Sequence, residues 1–329
     1  MRSPPVTYLP RAKALNEFNE LEPESVMTTT TKSTAVVSKV WSDFARTRLA
    51  PGAEGWRFAM DHPRVRSYIY DKYLNGQDPF GLALSSLLPQ TQLTAVEIGC
   101  GGGDLAIGLA KSGRFAHIDA YDVSEGAIEV AKSKALDAGL QNINFEVRDC
   151  NNISIVGKKY DFAYSSHALH HIEGLEEMFS EVAKVLRDGG LFFADDYIGP
   201  SRMQYTDSQI EYMSRALTRL PPEKRYDAWF EDRVKGSIAR VPIEDYIRID
   251  PSEGVRAAEI VGIMSQYLYT KTIPMGLSIA YEVFSGIIRN FDPNSESDNA
   301  LIDMVMKIDS EALEDRDVPV CFGVLIGRK

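Results

Sequence analysis

The 329-residue chain carries 36 lysines and arginines against 47 aspartates and glutamates, a formal charge of −11, with 44% hydrophobic and 25% charged residues. This composition excludes a disordered polymer, and the acidic balance counts against a polyphosphate partner, so no nucleic-acid partner is expected. Cys100, Cys150 and Cys321 stand apart without a CxxC pair, and no apolar run nears the roughly 18 residues that span a bilayer, which sets aside a disulfide framework, a thiolate zinc site and a membrane segment.

In chain order, residues 1–38 read as a flexible N-terminal arm. They contain Pro4, Pro5, Pro10 and Pro23 and the run Thr28–Thr31. Two of these prolines stand where a signal peptide would place its apolar stretch, so a cytoplasmic location is expected. Residues 39–90, with Trp41, Phe44, Tyr68, Ile69 and Tyr73 at helical spacing, predict a helical N-terminal subdomain, either a brace on the core or a cover over a ligand.

Residues 91–198 alternate strand and helix patterns. Short apolar runs at Ala95–Ile98, Ile118–Val123, Ile143–Val147, Tyr160–Tyr164 and Leu191–Ala194 predict five strands. Between them, Asp104–Lys111 reads as a helix. Ser124 caps another that runs through Ala138 to Gly139, and the stripe Leu175, Phe179, Val182, Leu186 forms a third that Gly189–Gly190 stops. Such βαβ alternation implies an α/β fold around a parallel sheet with right-handed crossovers.

Residues 199–315 read as a mostly helical cap. Thr206 and Gln209 have capping-box spacing ahead of Ile210, Met213 and Leu217. Asp250-Pro-Ser-Glu253 predicts the start of a helix to Gln266, Tyr267–Ile273 a sixth strand, and Leu277–Phe291 and Leu301–Leu313 two further helices. Residues 316–329 supply the last core strand, over Val318–Ile326. The apolar terminal helices and the arm are compatible with a homodimer.

The segment AVEIGCGGGDLAIGLAK, from Ala95 to Lys111, places four glycines between a strand and a helix. Glycines there let the chain turn sharply and a ligand approach the backbone. Gly101 to Ala106 satisfies the dinucleotide pattern GxGxxG/A, which would seat a pyrophosphate on the helix N-terminus. Glu97, Gly99, Gly101 and Gly103 instead place a carboxylate at the strand end, repulsive to pyrophosphate and attractive to a cationic aminoacyl group.

Downstream residues favour the second reading. Ala95–Lys111, AYDVSEGAIEVAK with Asp122, FEVRDC with Asp149, and the stretch from Tyr160 to Tyr197 together resemble, in order, the motifs of class I S-adenosylmethionine-dependent methyltransferases. The resemblance covers about the central third of the chain. It implies a Rossmann-like seven-stranded, mostly parallel sheet with an antiparallel last strand, a helical N-terminal segment and a helical cap inserted after the fifth strand. It also implies S-adenosylmethionine as cofactor and S-adenosylhomocysteine as product. Asp122 would hold both ribose hydroxyls, Val123 would pack on the adenine, Asp149 would accept from the adenine amino group, and the Cys150 N–H would reach a ring nitrogen. Ser165, at the fourth strand's end, joins the cofactor side.

His167, His170 and His171 follow the fourth strand, and Asp195, Asp196 and Tyr197 finish the fifth, so three of the five histidines face one crevice. Histidine can serve as a base near neutral pH. His171 or His167 is the expected base, with Asp196 and Tyr197 orienting the substrate and His170 beside it. Arg202, Tyr205 and Arg256 are expected to point inward from the cap. Imidazoles and carboxylates converging on one crevice could instead bind a divalent ion that acidifies an acceptor hydroxyl, but no spaced ligand motif marks a metal, so none is expected. Asp195–Gln209 and Asp250–Ile260 resemble, more weakly, a bacterial methyltransferase family of surface-polysaccharide and secondary-metabolite pathways. The function expected is methyl transfer to an oxygen or nitrogen of a small acceptor, a sugar or specialised metabolite. The alternatives are a non-methylating relative with the same cofactor pocket, a cyclase or a binding module, and an NAD-dependent oxidoreductase.

Overall fold

The fold is described from a computed structural model, which covers residues 29–48, 58–87, 91–227 and 233–329. A seven-stranded sheet organises it: β1 (Leu93–Ile98), β2 (Phe115–Asp122), β3 (Ile143–Val147), β4 (Tyr160–Ser166), β5 (Leu186–Tyr197), β6 (Tyr269–Gly276) and β7 (Phe322–Arg328), in the spatial order β3-β2-β1-β4-β5-β7-β6. The first five run parallel, and β7 lies antiparallel to both β5 and β6. β1 is buried along almost its whole length, as a central parallel strand covered on both faces must be.

The strand order fixes where a ligand can enter. β1 has β2 on one side and β4 on the other, so the chain leaves β1 and β4 in opposite directions at their C-terminal ends. That is a topological switch point, where parallel α/β sheets open a crevice. The glycine-rich turn follows β1 and the histidine turn follows β4, so the two motifs border one opening.

Three helices flank this half of the sheet, α1 (Thr29–Arg48), α3 (Asp104–Lys111) and α4 (Glu125–Asp137), whereas α2 (Pro63–Tyr73) packs at the β6 edge. α1 runs unbroken through residue 38, so the expected boundary between arm and subdomain falls inside a helix; residues 1–28 of that arm lie outside the described residues. Its polar face attaches to the tips of β2 and β3. Ser42 Oγ lies 3.1 Å from Ser124 Oγ and accepts from Gly126 N–H at 3.1 Å, Ser38 Oγ donates to the Val123 carbonyl at 2.9 Å, and Thr34 Oγ1 donates to Asp149 Oδ2 at 3.1 Å. Each such bond contributes about 1 kcal/mol net.

α5 (Leu175–Val185) packs Phe179 edge-on against Phe192 of β5, their ring centroids 5.6 Å apart. It ends at Val185, four residues before Gly189–Gly190. Those glycines lie inside β5, because Leu186 already takes an extended conformation and pairs with Tyr160.

The cap contains α6 (Asp207–Thr218), α7 (Ile243–Ile249), α8 (Ile260–Tyr267), α9 (Ala280–Phe284) and α10 (Glu296–Ala312). Thr206 and Gln209 form the reciprocal capping box expected of them. Two expectations fail for local reasons. Asp250 opens no helix: its Oδ1 accepts from both Ser252 N–H and Ser252 Oγ, Gly254 follows at φ +59°, and α8 starts ten residues on. The single helix expected over Leu277–Phe291 is split by Gly286 at φ +76° into α9 and a short 3₁₀ turn, Ile288–Asn290. Among the described residues no helix is long and apolar enough to cross a membrane.

Candidate active site at the switch point

Gly99, Gly101 and Gly103 all adopt left-handed backbone conformations (φ +74°, +49° and +76°), which a residue with a Cβ disfavours. Their surroundings differ. A Cβ on Gly99 would lie 2.3 Å from that of Ala168, and one on Gly103 would lie 2.8 Å from both Ala131 and Phe145. Both positions therefore serve close packing. Around Gly101 a Cβ would meet nothing within 4 Å, so this glycine alone presents open backbone.

Asp122, at the tip of β2, shapes that opening: Oδ2 accepts from Gly101 N–H and Oδ1 from Ser124 N–H, both at 2.8 Å. Burial raises its pKa, against the pull of these amide donors. Glu97 lies deeper, 2% exposed, and takes the Tyr164 hydroxyl at 3.2 Å. Burial drives its pKa well above the carboxylate range, and the charge of Asp122 adds to the rise.

Asp149 caps the turn Cys150–Asn152, accepting from Asn151 N–H at 2.9 Å and Asn151 Nδ2 at 2.8 Å while also receiving Thr34. Val123 offers its carbonyl to Ser38. α1 therefore covers the edge assigned to adenine. Cys150 is buried with its thiol pushed up to about 12, chiefly by burial, so it has no nucleophilic character. Ser165 departs from the expectation. It is wholly buried and its hydroxyl donates to the Ile98 carbonyl at 2.8 Å, joining β4 to β1 rather than facing a ligand.

The donor set suits an adenosyl amino acid better than a pyrophosphate. Its side-chain groups are carboxylates, which accept from hydroxyl, amino and ammonium groups and repel phosphate. Open backbone at Gly101, next to Asp122, is the cradle such a cofactor requires.

Each histidine after β4 has its own acid. His167 stands at φ +51°, strained for a residue with a side chain; its N–H donates to the Asp195 carbonyl at 2.9 Å and its Nε2 lies 3.5 Å from Asp195 Oδ2. The imidazole is 44% exposed, whereas Asp195 is buried and its Oδ1 has no hydrogen-bond partner among the described residues. Burial raises the Asp195 pKa, against the pull of His167.

His170 is buried with Nδ1 2.5 Å from Asp196 Oδ1 and Nε2 3.7 Å from Glu253 Oε1. Burial works against its charge, but Asp196 outweighs burial, so the His170 pKa is raised and that of Asp196 lowered. His171 Nδ1 lies 3.0 Å from Ser252 Oγ, which donates onward to Asp250 at 2.5 Å, and Trp41 of α1 meets the ring edge-on at 4.9 Å. Burial first, and then the neighbouring His170, lower the His171 pKa to about 4.

Several expected substrate contacts are otherwise engaged. Asp196 also accepts from Ala168, Leu169 and Tyr197 N–H at 2.7–2.9 Å, so it builds the histidine turn instead of touching an acceptor. Tyr197 is 1% exposed and its hydroxyl donates to the Pro200 carbonyl at 2.9 Å. Arg256 points away from the crevice, bidentate to Glu176 at 2.6 and 2.8 Å and bound to Glu259. Tyr205 is buried, and burial pushes its hydroxyl pKa well above the usual value. Arg202, half-buried at φ +56°, donates from Nη1 to the Glu253 carbonyl at 3.2 Å and so reaches the turn behind His170.

Sequence reasoning assigned no role to Asp195, Ser252 or Glu253, nor to Thr34, Ser38 and Trp41. Asp195 neighbours a histidine-bearing strand end and was legible by position. The others depend on long-range placement that periodicity does not encode.

Residues 95–190 match a family model described as a methyltransferase domain. Two curated relatives, each named a ubiquinone biosynthesis O-methyltransferase, are 31% identical: that of Methylobacterium sp. (strain 4-46) over 135 residues and that of Bartonella bacilliformis over 134, in both cases 40% of this chain and 51% of the relative. The chain thus spans about half the length of the curated relatives it matches. Among solved structures, a geranyl diphosphate C-methyltransferase from Streptomyces coelicolor A3(2) aligns over 92% of this chain and 98% of its own, with a TM-score of 0.49 and 10% identity. With the glycine turn, the carboxylates and the strand order above, residues 95–190 form a methyltransferase domain of the class I, S-adenosylmethionine-dependent type.

Proposed function

We propose that this protein transfers a methyl group from S-adenosylmethionine to an oxygen or nitrogen of a small acceptor, a sugar or specialised metabolite, and that a hydroxyl acceptor is deprotonated by His167. One observation carries the cofactor assignment: Gly101 presents open backbone while its N–H is held by Asp122. The O-methyltransferase names of the 31% identical relatives agree with a hydroxyl acceptor.

When bound, S-adenosylmethionine supplies an electrophilic methyl group on a sulfonium. The chain supplies position and proton transfer. Asp122 orients the ribose and Asp149 the adenine, and Glu97, whose burial disfavours its charged form, supports the glycine turn from beneath through Tyr164. His167 is the exposed imidazole of the three, held at a strained turn that aims it into the crevice. With Nε2–H directed to Asp195, its Nδ1 lone pair takes the acceptor proton as the oxygen attacks, and Asp195 stabilises the resulting imidazolium. His171 suits this task poorly, because a pKa near 4 leaves it a weak base at neutral pH.

The test is His167→Ala with product mass and cofactor titration read together. Turnover of a hydroxyl acceptor should fall by about two to four orders of magnitude with S-adenosylhomocysteine affinity unchanged. Undiminished turnover would remove His167 from the mechanism. Thermal stabilisation by NAD and not by S-adenosylhomocysteine would overturn the cofactor assignment, and a product heavier by something other than a methyl group would point to the non-methylating alternative.

A further inference from the structure

We propose that His170, His171 and Glu253 form a binding site for one divalent cation of the borderline, zinc-accepting kind, beside the acceptor crevice. One ligand atom from each of the three lies within 4.8 Å of the other two. The sequence hides this set, because Glu253 is 82 residues beyond His171 in a turn that reads as a helix cap.

The arrangement around the two imidazoles resembles a metal site more than a chance cluster. In metal sites a ligating histidine nearly always donates its second ring nitrogen to a carboxylate, carbonyl or hydroxyl, which fixes the tautomer and turns the first nitrogen toward the ion. Both histidines meet that condition. His170 Nδ1 is held by Asp196 at 2.5 Å, and His171 Nδ1 by Ser252 at 3.0 Å with Asp250 behind it. Both Nε2 atoms are thereby left as the ligand positions.

Distances agree. Ligands about 2.0–2.1 Å from a tetrahedral ion stand roughly 3.3 Å from one another. His170 Nε2 and Glu253 Oε1 are 3.7 Å apart, too long for a good hydrogen bond and close to that separation. No pair exceeds 4.8 Å, so closure by at most about 1.5 Å completes the shell. Two imidazoles and a carboxylate favour Zn²⁺, Co²⁺ or Fe²⁺ over Mg²⁺, which prefers an all-oxygen shell.

Charge permits the ion. Glu253, Asp196 and Asp250 surround the site, and Arg202 reaches this turn at the Glu253 carbonyl. His171 and Glu253 are partly exposed, at 15% and 16% of their side chains, which leaves a fourth position for water or an acceptor oxygen.

The test uses the full chain stripped with a chelator and titrated with Co²⁺ and Zn²⁺. We expect one ion per chain and visible d–d absorption from Co²⁺. Glu253→Gln should weaken Zn²⁺ at least tenfold and Ser252→Ala about tenfold, while Glu259→Gln, a surface carboxylate outside the set, binds as wild type. Thermal melts of the metal-free variants confirm folding. Absence of saturable one-to-one binding, or a Glu253→Gln isotherm matching wild type, overturns the site. Metal binding is read without cofactor or acceptor, so its failure is distinguishable from failure of the methyltransferase assignment.

Discussion

Asp122→Ala tests the cofactor site most directly. In the structure this carboxylate accepts two backbone N–H bonds of 2.8 Å, one from Gly101 and one from Ser124, so it orders the turn before any ligand arrives. Hydrogen bonds to a charged group contribute about 1.5–3 kcal/mol each. Removing the carboxylate orphans two donors and should cost about 1–3 kcal/mol of folding stability, because water can reach Gly101 and satisfy part of the loss. The ribose hydroxyls lose two acceptors as well. A net loss of about 3 kcal/mol in binding corresponds to a roughly 150-fold weaker Kd for S-adenosylhomocysteine by isothermal titration. Asp122→Asn keeps one acceptor oxygen and should lose about tenfold. Because burial raises the Asp122 pKa and the ionised form is needed, wild-type affinity should decline on acidification sooner than an ordinary aspartate would dictate. A folded Asp122→Ala protein with wild-type affinity would refute both the ribose role and the link between that carboxylate and the glycine turn.

Gly103→Ala and Gly101→Ala should separate packing from ligand approach. The first adds left-handed strain to a 2.8 Å clash with Ala131 and Phe145 and should cost about 2–5 kcal/mol by chemical denaturation, whereas the second should cost about 1–2 kcal/mol yet weaken cofactor binding more. Thr34→Val removes the hydroxyl that occupies Asp149 Oδ2, so S-adenosylhomocysteine should bind about fivefold tighter for the roughly 1 kcal/mol released; weaker binding would show that Thr34 contacts the ligand instead of competing with it. For His170 the folded pKa lies above the unfolded value of about 6.5, so its contribution is complete below that pH and is lost as pH rises through the raised value. The wild-type melting temperature should therefore drop across this window and that of His170→Gln should not. His171 has the opposite sign: with its folded pKa near 4, stability should fall as pH is lowered from about 6.5 to 4, and His171→Gln should flatten that limb of the curve.

The parallel half of the sheet was legible because its signals are local. Apolar runs of strand length, a glycine turn between strand and helix, and Ser124 as a cap each act within a few residues, and the observed elements follow them. Failures arose where a competing hydrogen-bond partner outbid the expected role. Asp250-Pro-Ser-Glu253 has every mark of a helix start, yet Asp250 is spent on Ser252 in support of His171. Asp196 and Tyr197 sat at the strand end where substrate contacts belong, but backbone donors and the Pro200 carbonyl claimed them. Ser165 was lost to the Ile98 carbonyl in the same way. Residues at strand ends are placed by the strands themselves, whereas those of the cap are set by contacts across more than eighty residues, as between Ser252 and His171.

The three imidazoles after β4 differ in charge because their acids differ in reach. His170 touches Asp196 directly and keeps a proton. His171 reaches Asp250 only through a hydroxyl, with its Nδ1 3.8 Å from the Asp250 carboxylate, and its ring lies 4.1 Å from that of His170. Two cations at that spacing repel strongly in a buried turn, so a proton on His170 excludes one from His171. The histidine turn is therefore a coupled pair with one proton, set by which ring holds the closer carboxylate. Asp196→Asn removes that bias. The two rings should then share the proton, and the single high-pKa imidazole resonance expected of the wild-type pair should give way to two resonances shifting together over a lower pH range. If the His170 resonance kept its raised pKa in that variant, Glu253 and not Asp196 would be what holds the charge in place.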